Sequence, residues 1–150
     1  MQKGIKTQLI IIISSMIIFS AAALGEELKV GFIKSVTGSV SVKRGETVIS
    51  VNPGDPLFKS DVLTTQTNSS VGIIFTDGTT FAVDQSAEIN IKDYLFQPKS
   101  NAYAFELFLK KGKAIYSSGR IEKLAPDKVC LSTPKATVGV RGTHFIIQVD

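Results

Sequence analysis

Val71-Gly72-Ile73-Ile74-Phe75-Thr76-Asp77-Gly78-Thr79-Thr80-Phe81-Ala82-Val83 is the stretch whose reading decides the fold. Two runs rich in β-branched and aromatic residues flank Thr76-Asp77-Gly78. An Asp-Gly pair between such runs is among the strongest short-range signals for a β-hairpin. The segments on either side read the same way. Upstream, Val36, Gly38, Val40 and Val42 alternate with Thr37, Ser39, Ser41 and Lys43, a period of two that predicts one strand. Arg44-Gly45-Glu46 is then a tight turn into the strand Val48-Ile49-Ser50-Val51. Asn52-Pro53-Gly54-Asp55 is a second turn, with proline presetting φ and glycine supplying a positive φ after it. Downstream, Glu88-Ile89-Asn90-Ile91-Lys92 alternates cleanly.

Tyr103, Phe105, Leu107 and Leu109 alternate with Ala104, Glu106, Phe108 and Lys110, so residues 102–111 are read as strand in preference to helix. Lys111-Gly112-Lys113 is read as a turn into Ala114-Ile115-Tyr116. Val129-Cys130-Leu131 is a short apolar strand, with Cys130 expected as a small buried hydrophobe. Arg120-Ile121-Glu122-Lys123-Leu124-Ala125 is the best helix candidate, stopped by Pro126. Residues 136–149 are strand-like at both ends, and Gly139 and Gly142 suggest a bulge or a close backbone approach. The expected fold class is therefore all-β, many short strands with glycine-rich turns. A β-solenoid and a sandwich-like arrangement both stay open. Strand centres near Val40, Ile73, Leu107 and Val140 recur about every 33 residues, which favours stacked coils only weakly.

The first 25 residues are a different material. Lys3 and Lys6 precede 19 uncharged residues, 7–25, whose apolar centre gives way to Ser20-Ala21-Ala22-Ala23. A positive start, an apolar middle and a small-residue exit describe a secretory signal peptide, cleaved after Gly25 or Ala23. An uncleaved membrane anchor is the competing reading. The expected division is residues 1–25 as leader and 26–150 as one β-domain, which the final strand leaves open to truncation at its C-terminus. The expected location is periplasmic or secreted, with membrane contact only through a leader that is not removed.

Composition narrows the chemistry. The 150 residues include 17 Lys and Arg against 13 Asp and Glu, a net charge of +4, with one His and one Cys. Without the leader the net falls to +2, so a nucleic-acid partner is not expected. A single Cys excludes an intrachain disulfide, and a single His excludes a poly-histidine metal site. Asp55, Asp61 and Asp77 all sit in turn signals, where Asp bonds to nearby backbone, and no regular Asp-x-Asp-x-Asp loop is present. Lys110, Lys111 and Lys113 read as a solvated turn. His144 reads as packing or surface. Arg141, flanked by glycines in an apolar strand, is expected to bond a carboxylate or loop carbonyls. No catalytic set, metal spacing or cofactor motif is present, so the expectation is a protein that is not an enzyme and holds no cofactor.

Five segments in order carry a resemblance: Gly38-Ser39-Val40-Ser41-Val42; Pro53-Gly54-Asp55-Pro56-Leu57; Asp61-Val62-Leu63-Thr64-Thr65; Phe75-Thr76-Asp77-Gly78-Thr79; and residues 133–145, which run Thr133-Pro134-Lys135-Ala136-Thr137-Val138-Gly139-Val140-Arg141-Gly142-Thr143-His144-Phe145. Together they resemble the FecR family of periplasmic domains over about residues 31–149. The resemblance implies an all-β domain with a signalling or binding role. It also makes Gly54, Asp55, Asp61, Asp77, Gly78, Thr133, Pro134, Gly139, Val140, Arg141, Gly142, Thr143 and Phe145 family positions, read as structural. Ser60 departs from the family, which usually has glycine there. Well-known members control a sigma factor through a cytoplasmic segment. About eight residues precede the apolar run here, so a stand-alone exported form is expected, acting as a binding, sensing or interaction module. The expected partner is another envelope protein. A small ligand or an envelope glycan is the alternative, and a sigma-regulating signalling component is a further one.

Overall fold

In the computed structural model, residues 27–150 are described, and the leader lies outside them. Twelve strands form one curled sheet with a single short helix. The strands are β1 (Lys29–Thr37), β2 (Val40–Arg44), β3 (Thr47–Ser50), β4 (Pro56–Phe58), β5 (Val62–Thr65), β6 (Ser70–Phe75), β7 (Thr80–Val83), β8 (Glu88–Gln97), β9 (Ala102–Ser117), β10 (Val129–Ser132), β11 (Thr137–Gly139) and β12 (His144–Val149). The helix α1 is Arg120–Leu124. The main path runs β3-β2-β5-β8-β9-β7-β6-β1-β4.

The 16-residue β9 holds the two halves of the sheet together. Its first part pairs with β8 on one side and, in parallel, with β10 on the other. Its last part pairs with β7 and β12, both antiparallel. Every other pairing is antiparallel too, so the sheet curls into an open, sandwich-like half-barrel rather than stacked solenoid coils. The 33-residue recurrence does not mark a coil repeat.

The period of two explains which side each strand buries. Val71, Ile73 and Phe75 of β6 point inward, as do Phe81 and Val83 of β7 and Phe105, Leu107 and Leu109 of β9. They surround an aromatic nucleus. Phe75 lies 5.0 Å from Phe105 and 5.3 Å from Tyr94, and Phe81 lies 5.3 Å from Tyr116 (ring centroids). Edge-on and offset contacts of this kind add to the burial of the rings themselves.

Three sequence expectations change here, each for a long-range reason. The predicted single strand across residues 36–43 is two strands. Gly38, at φ +70°, turns the chain from β1 in one half of the sheet to β2 in the other, and a Cβ there would collide with Ser69. The predicted turn at Lys111-Gly112-Lys113 is instead a bend within continuous β9. Gly112 takes φ +92°, and a Cβ would collide with Ala87. Cys130 is half-exposed, because Val129 and Leu131 take the inward positions of β10 and leave it on the other face.

Ser60 occupies the left-handed region at φ +71°, the conformation the family's glycine would take without a side-chain penalty. Ser60→Gly is expected to raise stability by about 0.5 to 1 kcal/mol, the relief of the Cβ clash less the added chain entropy. A thermal melt showing a lowered midpoint would contradict it.

Candidate functional site

The family positions gather at three structural joints. The first is the β6–β7 hairpin. The Phe75 N–H donates to Thr79 O at 2.8 Å, and the Gly78 N–H donates to Phe75 O at 2.9 Å. Asp77 at its tip is buried, 2% exposed. Its Oδ1 accepts from the Thr79 N–H at 3.1 Å and from the Tyr94 hydroxyl at 3.1 Å. Its Oδ2 accepts from the Thr79 hydroxyl at 2.7 Å and from the Ile121 N–H at 3.1 Å. The Asp77 N–H in turn donates to the Tyr94 oxygen at 2.9 Å, and Thr76 Oγ1 lies 2.9 Å from that oxygen. The helix α1 starts at Gly119 with no side-chain cap of its own. Asp77, 44 residues before Ile121, takes that place with its carboxylate, while its carbonyl accepts the Arg120 N–H at 2.9 Å.

The second joint is Asp61, fully buried. Arg44 donates to it through Nε at 2.8 Å and Nη2 at 2.7 Å, a bidentate ion pair, and the Phe58 N–H adds a third bond at 2.9 Å. The Arg44 guanidinium also lies over the Phe58 ring, 4.3 Å from its centroid, and reaches Pro56 O at 3.2 Å. The bond to Asp61 raises the guanidinium pKa further above its ordinary value. In the neighbouring turn Asp55 Oδ2 accepts the Asn52 N–H at 2.7 Å, and the Gly54 N–H donates to Ile33 O at 2.8 Å, which pins the turn to β1.

The third joint is the C-terminal motif. Thr133 Oγ1 accepts the Ala136 N–H at 3.1 Å and closes the turn around exposed Pro134. Gly139 ends β11, and Val140 is buried in the core. Residues 141–143 then cross to the other half of the sheet and are not strand. The Gly142 N–H donates to Glu122 Oε1 at 3.0 Å, and Thr143 O accepts the Ser118 N–H at 2.9 Å. Phe145 packs on Tyr116, 4.7 Å between centroids. Arg141 is exposed, and among the described residues no hydrogen bond or ion pair engages it. The expected structural bond is absent because Arg141 lies in the crossing segment, outside any strand.

Among the described residues no three His, Cys, Asp or Glu side chains are grouped to hold a metal ion. His144 is exposed, and Lys110 pairs with Glu88 at 3.1 Å. Burial raises the Cys130 thiol above its ordinary pKa, with Glu106 adding to the shift, which disfavours the reactive thiolate. Burial also pushes the Tyr94 and Tyr116 phenols above their ordinary range, and the Glu122 and Asp77 carboxylates push Tyr116 further. Both phenols therefore stay protonated in the fold at pH values where the unfolded chain ionises them. Their contribution is complete below about pH 10 and falls as pH rises above it. Denaturant midpoints measured upward from pH 9 should decline, and Tyr116→Phe should flatten part of that decline.

Two surfaces are open. A groove of about 560 Å³ lies where the start of β1 faces the end of β8, lined by Leu28, Val30, Tyr94, Leu95 and Ala104. Lys59 and Asp93 close an ion pair of 2.7 Å at its side, with Glu27 nearby. The second is the outer face of the half-sheet β1-β6-β7-β9-β12. Register aligns Ser35, Gly72, Ala82, Ile115 and Ile146 in one row, and Phe32, Ile74, Thr80, Ser117 and His144 in the next. Phe32, Ile115 and Ile146 are 38%, 42% and 61% exposed. Hollows of about 220 and 180 Å³ flank Ala82 and Ile115. The outer face of a one-sided antiparallel sheet is ordinarily polar.

The motif carboxylates of this all-β domain serve as structural joints, and part of its outer sheet face is apolar and exposed. The family model described as FecR protein matches residues 61–150, and the chain belongs to that family. The match takes in Asp61, Asp77 and the motif from Thr133 to Phe145. Gly54 and Asp55 lie before it. No curated protein and no solved structure matches the chain.

Proposed function

We propose that the chain is an exported, non-catalytic interaction module of the cell envelope, periplasmic or secreted, whose partner is another envelope protein. The outer face centred on Ala82 and Ile115 carries this reading. Its row crosses five strands from Ser35 to Ile146, and Ala82, Ile115 and Ile146 make it apolar across β7, β9 and β12, while the Ser35 hydroxyl covers Gly72. Exposed apolar continuity of this kind marks a surface that a partner covers. Family membership supports a sensing or signalling context, and the consumption of Asp61 and Asp77 in structural bonds supports binding over catalysis.

The test is capture from envelope extract with the wild-type chain and with Ile115→Glu. The variant places a charge at the centre of the row and should reduce capture about tenfold or more while the melt is preserved. Equal capture by both forms refutes the site, and no partner above background counts against the role. The end groove supports a second reading, a small ligand or glycan bound beside the Lys59–Asp93 pair. A thermal shift on adding envelope glycans, abolished by Ala104→Trp, would favour that reading instead.

A further inference from the structure

We infer that the free edge of β12 pairs with β12 of a second copy, antiparallel about a two-fold axis through Ile146. β12 bonds only β9, so among the described residues its other edge has no partner. The sheet's other edges are blunted, and the open half of β8 beyond Ile91 carries Lys92 and Asp93. β4 and β11 have three residues each, β4 begins with Pro56, and β3 has four exposed residues just after Glu46. β12 has six residues, none charged and none proline. A long uncharged edge is a template for another strand.

The bonding pattern restricts the register. The Ser118 N–H donates to Thr143 O, which makes 118 and 143 a hydrogen-bonded pair in the β9–β12 ladder. Such pairs alternate along an antiparallel ladder. Phe145, Ile147 and Val149 therefore bond β9, and His144, Ile146 and Gln148 aim their N–H and C=O groups at the open side. The opposite edge of β9 agrees: the Asp84 N–H donates to Lys113 O, so the odd-numbered residues of β9 near there bond β7 and the even-numbered ones bond β12.

A two-fold pairing must match open residues with open residues, as registers with Phe145, Ile146 or Ile147 on the axis do; the side chains and end charges favour Ile146. That register sets Ile146 opposite Ile146 of the second copy, and His144 opposite Gln148, an imidazole facing an amide. The ends are complementary in charge. Asp150 falls opposite Gly142 of the second copy, directly beside its Arg141. Phe145 and Ile147, both partly buried, would extend the inner apolar face across the joint. The inference stands apart from the outer-face reading, because Ile115→Glu leaves the edge backbone free.

Engineered cysteines in a Cys130→Ser background test it. Hydrogen-bonded pairs sit about 5.5 Å apart at Cα, within disulfide range. Ile146→Cys should oxidise to a reductant-sensitive dimer at least tenfold faster than Gln148→Cys, which faces His144 rather than itself. Ile146→Pro removes an open-edge donor and none bonded to β9, so it should give a folded monomer by sedimentation where the wild type dimerises with rising concentration. Equal cross-linking of the two cysteine variants, or a wild type that stays monomeric at every concentration, overturns the inference.

Discussion

Asp77→Ala is expected to lower the unfolding free energy by about 4 kcal/mol, the upper end for a single substitution. The carboxylate is buried and accepts four hydrogen bonds: two from Thr79, one from Tyr94 and one from Ile121. Alanine strands all four donors in a site with no water access of its own. Gly119 packs so closely on Thr79 and Asp77 that even a Cβ would collide, so collapse into the vacancy is restricted. The local consequence is specific. The helix α1 loses its only side-chain cap, and its amides should exchange faster than those of the β8–β9 ladder. Asp77→Asn keeps the volume but turns an NH₂ toward two donors, and should cost roughly half as much. Asp77→Ala with an unchanged denaturant midpoint would show that the hairpin holds without the network. A domain of this size has about 5 to 15 kcal/mol to lose, so the variant should remain foldable at low temperature.

The same residue shows what could be read from sequence. Asp77-Gly78 announced its hairpin because a turn is settled by neighbours: the φ of Gly78 and the bond from Asp77 to Thr79 lie within the motif. The turns at Gly45 and Gly54 were legible for that reason, as was α1 before Pro126. The all-β class followed from the period of two. What failed depended on distant partners. Gly38 and Gly112 carry the same turn signal, yet one switches the chain between halves of the sheet and the other only bends a strand. The deciding contacts, Ser69 and Ala87, lie 31 and 25 residues away in sequence. β4 and β5 were too short to stand out. The face of Cys130 is not legible, because an apolar triplet does not reveal which of its residues point inward. The turn accounts for Asp77 locally, and its bond to Ile121, 44 residues on, has no local signature.

Nothing local in Arg44-Gly45-Glu46 marks Arg44 as the partner of Asp61, 17 residues on. Arg44→Ala is expected to cost about 2 to 4 kcal/mol, below the range for a fully buried ion pair because the Arg44 side chain is 31% exposed. Asp61 is fully buried, and without the guanidinium it retains one hydrogen bond, from the Phe58 N–H. The loss comes mainly from the uncompensated charge, since the pair itself was costly to bury. That distinction can be measured. Arg44→Lys keeps the charge but cannot reproduce two parallel bonds or lie flat on Phe58, and should fall between wild type and alanine. Arg44→Met combined with Asp61→Asn removes both charges and leaves similar volumes. If the stranded charge is the cause, the double variant will be more stable than Arg44→Met alone, with a coupling of about 2 to 3 kcal/mol. Additive losses would instead mean that Arg44 acts through its packing on Phe58 and its bond to Pro56 O. The site lies where β2 meets the β4–β5 turn. A weakened pair should therefore loosen this corner of the sheet first, with early amide exchange in β4 and β5 while the β8–β9 ladder stays protected.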